Sequence, residues 1–382
     1  MLRYARGVVS AHRSAWPGVV RFRARLEDGA EVPVLGYPEL SGAPALGERV
    51  LLNTTALERG LGTGGDALLV ARLDELPEPR AQIAGHMVKA RYTPLQTMVD
   101  ALDDPAGEHH AVMRAAEDLE RMPVVAADLH SSLPAIIAGA LLDAPEARIA
   151  LVHTDGAALP AAYSATAAAL RDSGHLAAVI SAGQSFGGDL EAVTVHSALL
   201  GARHVVGADL AIVVQGPGNL GSGTPWGFSG VQSAEALHAA TALGGRPVAS
   251  LRVSQADPRP RHRGLSHHSS TAFGRALLAS VILPVPRPDT TPHSEIHALV
   301  REQLETSVID PVGRTAPPHE VREVPTDGIP DALAQLPVRL STMGRSLEED
   351  FCAFLYAAIA GRAAAALIPP RGTSPAQPPP AP

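Results

Sequence analysis

From residue 123 onward, short apolar runs without polar alternation recur between longer Ala- and Leu-rich stretches. This pattern constrains the chain more than any other. A strand that faces water on one side alternates polar and apolar residues, whereas one buried on both faces does not, and double burial is the mark of a parallel sheet. Strands are expected at 124–127, 149–152, 176–180, 210–214 and 248–253, with helices at 132–142, 159–172, 190–206 and 231–243. Such alternation, joined by right-handed crossovers, predicts an α/β fold with an open, doubly wound, mostly parallel sheet. A strand at 281–285 and a helix at 295–305 extend it, and a helix over 347–367 closes it. Only 3% of residues are aromatic while 46% are apolar, so Ala, Val, Leu and Ile must build the core.

The first 75 residues read differently. Strands at 7–10, 19–26, 31–35, 49–52 and 67–73 are separated by turn signals such as Trp16-Pro17-Gly18 and Glu27-Asp28-Gly29. So many strands in so short a span predict a small β-barrel, since closure removes exposed edges. The expected organisation is a barrel over 1–75, a linker and helical connection over 76–122 and a Rossmann-like α/β domain over 123–368. Within the connection, 85–96 leads into a helix. The Pro-rich tail 369–382 is expected to be disordered.

Charge and cysteine content narrow the function. A net charge of −8 argues against a chain that binds nucleic acid over its whole surface. The single cysteine, Cys352, excludes an intrachain disulfide and a multi-cysteine zinc site. The apolar run near the C-terminus is broken by Arg362 and falls short of the ~18 residues that span a bilayer. A cytoplasmic protein with no membrane partner is expected. The only lysine is Lys89, among 31 basic residues. Such a bias suits a GC-rich genome, which replaces lysine by arginine.

In open α/β sheets, ligands bind at the carboxyl ends of the strands, so the residues after each strand are the candidates. They are Asp128 to Ser132, His153 to Gly156, Gly183 to Asp189, Gly216 to Thr224, and Gln255 through Arg261 to Ser269. Each also has a plainer reading. Asp128, Asp155 and Asp189 can cap helices, and His153 can be a packed neutral histidine. His86, His175, His204, His238 and His297 are assigned to structure or solvent. Gly216, Gly218 and Gly221 spell G-x-G-x-x-G after a strand, a pattern that lets backbone N–H groups approach a phosphate. Here Pro225-Trp226-Gly227 delays the next helix, and no acidic residue ends the next strand. NAD is therefore not an expected cofactor. The stretch 259–268 interleaves Arg259, Arg261 and Arg263 with His262, His267 and His268, offering forked anion donors and groups that titrate or bind metal. A metal there would need Asp128, His130 or Asp155 as well, because adjacent histidines rarely share one ion.

Several of these blocks resemble a known family. Leu52 to Ala56 with the glycine loop ending at Gly65, His86 to Gln96, Asp128-Leu129-His130-Ser131, Thr154-Asp155-Gly156, Phe186 to Val193, Gly216 to Thr224 and Arg261 to Ser269 stand in order. Together they are similar to a bacterial domain-of-unknown-function family numbered 3866, from the N-terminus to about residue 357. The resemblance implies that barrel and α/β domain travel as one unit. It carries no reaction. It also implies a lysine at the position of Lys89, and a second glycine where this chain has Ala157.

The expected function is a hydrolase or transferase acting on a phosphorylated or anionic small molecule. Asp128, His130, Asp155, Asp189, His262, His267 and His268 are the acid–base or ligand candidates. Lys89, Arg91, Arg261 and Arg263 would clamp the anion, and Gly216, Gly218, Asn219, Gly221 and Ser222 would cradle it. Thr63 and Gly64 would cover it from the barrel. A covalent nucleophile is not expected. A divalent metal and a homo-oligomer are left open. The alternatives are a small-molecule sensor without turnover, and an RNA- or protein-associated factor working through the barrel, which the net charge disfavours.

Overall fold

A computed structural model describes residues 2–60, 64–78, 85–288, 293–310 and 316–369. Thr63 and the tail 370–382 lie outside the described residues.

Strands β1 (Tyr4–Arg13), β2 (Val20–Leu26), β3 (Glu31–Gly36), β4 (Arg49–Asn53) and β5 (Ala67–Arg72) close into a barrel in the order β1-β2-β3-β5-β4. In β2 the period of two is plain. Phe22 and Ala24 point inward while Arg23 and Arg25 face solvent. Val9, Val34, Val50, Leu52 and Leu69 complete the barrel core.

The connection departs from expectation. Residues 85–96 enter no helix. Met87–Lys89 (β6) and Thr97–Val99 (β7) pair as an antiparallel hairpin. Between them Ala90 and Tyr92 take positive φ values of 49° and 60°, which a continuing helix cannot accommodate. A short helix, His110–Ala115, follows.

The second sheet is wholly parallel and eight-stranded. Its strands are β8 (Pro123–Ala127), β9 (Ile149–Thr154), β10 (Ala178–Ser181), β11 (Leu190–Glu191), β12 (Leu210–Gln215), β13 (Arg246–Ala249), β16 (Ile282–Pro286) and β17 (Glu320–Val324). The intervening β14 (Val253–Ser254) and β15 (Gly264–Leu265) form a small antiparallel ribbon. The sheet order is β11-β10-β9-β12-β8-β13-β16-β17. Every residue of β8, β9, β12 and β16 is buried, as their lack of alternation requires. The chain leaves β8 toward β9 and leaves β12 toward β13, in opposite directions. A crevice therefore opens between the carboxyl ends of β8 and β12.

Several element boundaries shift for local reasons. The expected helix over 190–206 yields its first residues to the edge strand β11. Thr194 then starts the helix Val195–His204 with a capping box to Ser197. The helix expected over 159–172 begins at Ala165, where the Ser164 side chain accepts from the Ala167 N–H. The strand expected over 248–253 ends at Ala249. On one face of the sheet, Leu133–Asp143 packs against the closing helix Phe351–Ala365. A Cβ on Gly139 would collide with the Ala358 carbonyl, and one on Gly361 with that of Ile136.

The barrel docks on the loops beyond the sheet. The Trp16 indole donates to the Ala162 carbonyl at 2.6 Å. Gly18, at φ +80°, comes so close to Ala162 that an added Cβ would lie 2.7 Å from its methyl. Leu40 of the barrel, Met87, Ala90 and Val99 of the hairpin, and Leu159 and Phe186 of the sheet loops share one small apolar cluster.

Candidate functional site

The loops at the carboxyl ends of β8, β12 and β13 meet around a cavity of about 120 Å³. His262, His267, His268, Asn219, Gly221 and Arg261 line it. Arg252 and Arg259 contribute to the same wall.

The site is built from β8 outward. Asp128 follows the strand and is buried. Its Oδ2 accepts from Arg252 NH1 at 3.2 Å and lies 2.9 Å from His268 Nδ1, which Arg252 NH1 also approaches to 2.9 Å. Burial alone would raise the Asp128 pKa, but the Arg252 charge and the His268 hydrogen bond outweigh it and hold the carboxyl below its ordinary value. Gly230 makes this approach feasible, since a Cβ there would stand 2.6 Å from that of Asp128. The glycine loop is tied to the same point, because Asn219 Nδ2 and Gln215 Nε2 both donate to the Asp128 carbonyl.

The histidines come from two consecutive turns. His262 lies in a short 3-10 turn, Pro260–His262. His267 and His268 open the helix His267–Thr271, capped by the Ser266 hydroxyl. That hydroxyl also meets His262 Nδ1 at 2.7 Å, so one serine sets both segments. The ring centroids of His267 and His268 are 4.5 Å apart, and His262 lies 4.9 and 5.2 Å from them. Phe228 stacks flat on His268 at 3.9 Å. Burial, then the nearby Arg252 and Arg259 charges, lowers His262 to about 3. Burial, then His268 and Arg261, lowers His267 to about 4. Both rings are neutral at pH 7.

The arginines separate into paired and unpaired. Arg252 faces Asp128. Arg259 forks onto Asp257 at 2.9 and 2.7 Å, which keeps that carboxyl well below the usual range. Arg345 bridges Asp257 and Asp350. Among the described residues no carboxylate pairs with Arg261, which is exposed at the cavity. Arg263 is exposed and does not line the cavity.

Other candidates are placed elsewhere. His130 is buried between Ser164 Oγ (2.6 Å) and the Gln215 carbonyl (3.1 Å), and burial lowers it to about 4. His153 bonds Ser185 Oγ at 2.6 Å, and burial, then His130 and Lys89, lowers it to about 3. Asp155 accepts from the Gln184 N–H at 2.9 Å, bracing the loop after β10. It does not line the histidine cavity. Asp189 is taken by Arg171 Nε and the Val179 N–H, both at 2.8 Å, and shares no partner with the histidines. Nor does it cap a helix, since Thr194 does so.

Lys89 and Arg91 do not share a face. Lys89 is buried, its Nζ 2.8 Å from Glu191 Oε2 and 2.9 Å from the Ser181 carbonyl. Burial lowers the Lys89 pKa and raises that of Glu191, while their mutual attraction opposes both shifts. This ammonium ties the hairpin to the sheet edge and does not line the histidine cavity. Arg91 is exposed, because the positive φ of Ala90 ends the extended strand between them. In the glycine loop, Gly216 passes within 2.7 Å of His153 Nε2, measured from its would-be Cβ. Gly218 is exposed at φ +101°. Ser222 turns inward on the loop, donating to the Gly227 carbonyl at 3.1 Å. Gly64 sits at φ +66° in an open turn with nothing within 4 Å of an added Cβ.

The sequence reading missed Arg252 and Phe228. Arg252 was hidden inside the strand expected over 248–253. The available signal was a lone arginine in an apolar run, Leu251-Arg252-Val253, which a doubly buried strand would not tolerate.

The architecture is thus a parallel α/β chain carrying an N-terminal barrel, with its polar loops gathered at the carboxyl edge. The family model described as protein of unknown function (DUF3866) matches residues 34–361. The chain belongs to that family. No curated protein and no solved structure matches it. Among the described residues, no helix is long and apolar enough to cross a membrane.

Proposed function

We propose that the chain is an enzyme, a hydrolase or transferase, acting on a phosphorylated or otherwise anionic small molecule at the histidine cavity. The observation that carries this reading is the charge arrangement. Asp128, Asp257 and Asp350 match Arg252, Arg259 and Arg345, whereas Arg261 at the mouth has no carboxylate among the described residues. An unmatched guanidinium beside a polar cavity is a fork for a phosphate or carboxylate. Asn219 and the backbone of Gly221 add neutral polar groups on the same wall.

Nicotinamide chemistry fits poorly. The glycine loop closes on itself through Ser222 and Gly227 instead of presenting its N–H groups at a long helix. Covalent catalysis through Cys352 fits no better, since this thiol is buried and pushed up to about 12 by burial and by Asp350. The same proposal takes the chain as a cytoplasmic bacterial protein, because one cysteine suits a reducing compartment and scarce lysine suits a GC-rich genome.

The test is a thermal-shift panel of inorganic phosphate, phosphate monoesters and carboxylates on the wild type and Arg261→Gln. At a hundredfold excess over Kd, a ligand stabilises by about 2.7 kcal/mol, a shift of several degrees. The expected result is stabilisation by a phosphate monoester in the wild type, its loss in Arg261→Gln, an unchanged unliganded Tm, and chemical conversion of the monoester on incubation. No response to any anion, or an equal response in the variant, overturns the reading. A monoester recovered unchanged makes the chain a sensor.

A further inference from the structure

We propose that His262, His267 and His268 form a binding site for one divalent d-block cation of the zinc type. The inference deepens the anion-site reading and rests on it for the chemistry of the cavity, but the metal site is argued from its own geometry.

Consecutive residues on a helix point about 100° apart, so adjacent histidines do not ordinarily converge. Here they do, because both stand in the first turn of a helix that His262 folds back over. One ring nitrogen from each of the three lies within 4.8 Å of those of the other two. His268 Nδ1 meets the Asp128 carboxylate and His262 Nδ1 meets the Ser266 hydroxyl, so in the tautomer in which Nδ1 carries the proton the Nε2 of each is the ligand atom. His267 Nε2 is buried with no hydrogen-bond partner. A buried ring nitrogen without a partner is costly unless something occupies its lone pair.

The surroundings are those of a metal site. A ligating histidine usually gives its other ring nitrogen to a carboxylate or hydroxyl, which fixes tautomer and orientation. Asp128 and Ser266 stand in those places, and Phe228 clamps the His268 ring from its face. All three histidines line the cavity. Three imidazoles are a recognised catalytic zinc set, which keeps a fourth position open for water or substrate. Tetrahedral zinc holds its nitrogens about 3.4 Å apart, from Zn–N distances of ~2.0–2.1 Å. Ring rotation would therefore tighten the cluster on loading. Of the arginines that line the cavity, Arg252 and Arg259 are each paired with an aspartate, which leaves the charge of the exposed Arg261 for a cation to meet. A bound dication beside Arg261 would make the cavity strongly attractive to an anion.

Metal-stripped full-length chain should bind Zn²⁺ at one equivalent in titration calorimetry. Co²⁺ in its place should give the intense visible absorption of a tetrahedral site. His267→Ala should weaken Zn²⁺ at least a hundredfold, while His196→Ala, a change at an exposed histidine, should leave it unaltered. If His267→Ala fails to fold, the Co²⁺ spectrum of the wild type decides alone. Absence of stoichiometric binding, an octahedral Co²⁺ spectrum, or Zn²⁺ affinity unchanged in a folded His267→Ala overturns the site. Phosphate response of the metal-free chain is read separately. A chain that answers phosphate but not Zn²⁺ sinks the metal site and leaves the anion reading standing.

Discussion

Lys89 shows how one side chain's surroundings decide its role. As the only lysine, it invites reading as an anion clamp. Its ammonium instead faces Glu191 and the Ser181 carbonyl, with both side chains largely out of solvent. Removing one partner of a buried ion pair strands the other charge and costs about 3–5 kcal/mol, whereas replacing both is often tolerated. Lys89→Met should therefore destabilise the chain by that amount in urea unfolding. Lys89→Met combined with Glu191→Gln should recover much of the loss. A Lys89→Met cost below ~1 kcal/mol, the value of a surface pair, would show that the pair is solvated. The histidine cluster belongs to the same scale. Its members were legible from the interleaving of Arg261, His262, Arg263, His267 and His268. The separation of Arg261, which lines the cavity, from Arg263, which does not, was not, because it depends on where a 3-10 turn ends.

Between elements, close packing dominates. The helices Leu133–Asp143 and Phe351–Ala365 cross where Gly139 and Gly361 let each backbone touch the other. Helix propensity alone would make Gly361→Ala stabilising by about 1 kcal/mol. The collision with the Ile136 carbonyl reverses the sign, and overpacking costs of ~1–3 kcal/mol apply. Gly361→Ala should lower the urea midpoint, and a raised midpoint would contradict the contact. The apolar periodicity that revealed both helices carries no information on which glycines meet. The strands of the sheet centre were legible because double burial writes itself into sequence as unbroken apolar runs. Edge elements were not. Glu320–Val324 is polar at most positions, and Leu190–Glu191 is two residues long. The hairpin Met87–Lys89/Thr97–Val99 depends on positive-φ residues, Ala90 and Tyr92, of types that do not advertise them.

At the level of the whole molecule, folding competes with protonation of the unfolded chain. His130 and His153 are buried and lowered to about 4 and about 3, while an unfolded histidine titrates near 6.5. Between those values the unfolded chain holds more protons than the folded one, so stability rises with pH. The stabilisation is complete above about pH 6.5 and is lost as pH falls toward 4 and then 3. Each fully buried histidine contributes a slope near ~1.4 kcal/mol per pH unit in that window. Two of them can remove several kcal/mol between pH 6.5 and 4.5, against a total stability of roughly 5–15 kcal/mol. Asp128 and Asp257, both depressed, lose their contribution only at lower pH. Glu191, raised by burial, acts in the opposite sense and makes a difference measurement necessary. His153→Gln should therefore flatten the dependence of the unfolding free energy on pH by close to one proton between pH 6.5 and 5, in urea titrations beside the wild type. Equal slopes in the two proteins would mean that His153 takes up its proton in the folded state, despite a burial of 0% exposure and a ring nitrogen with no partner.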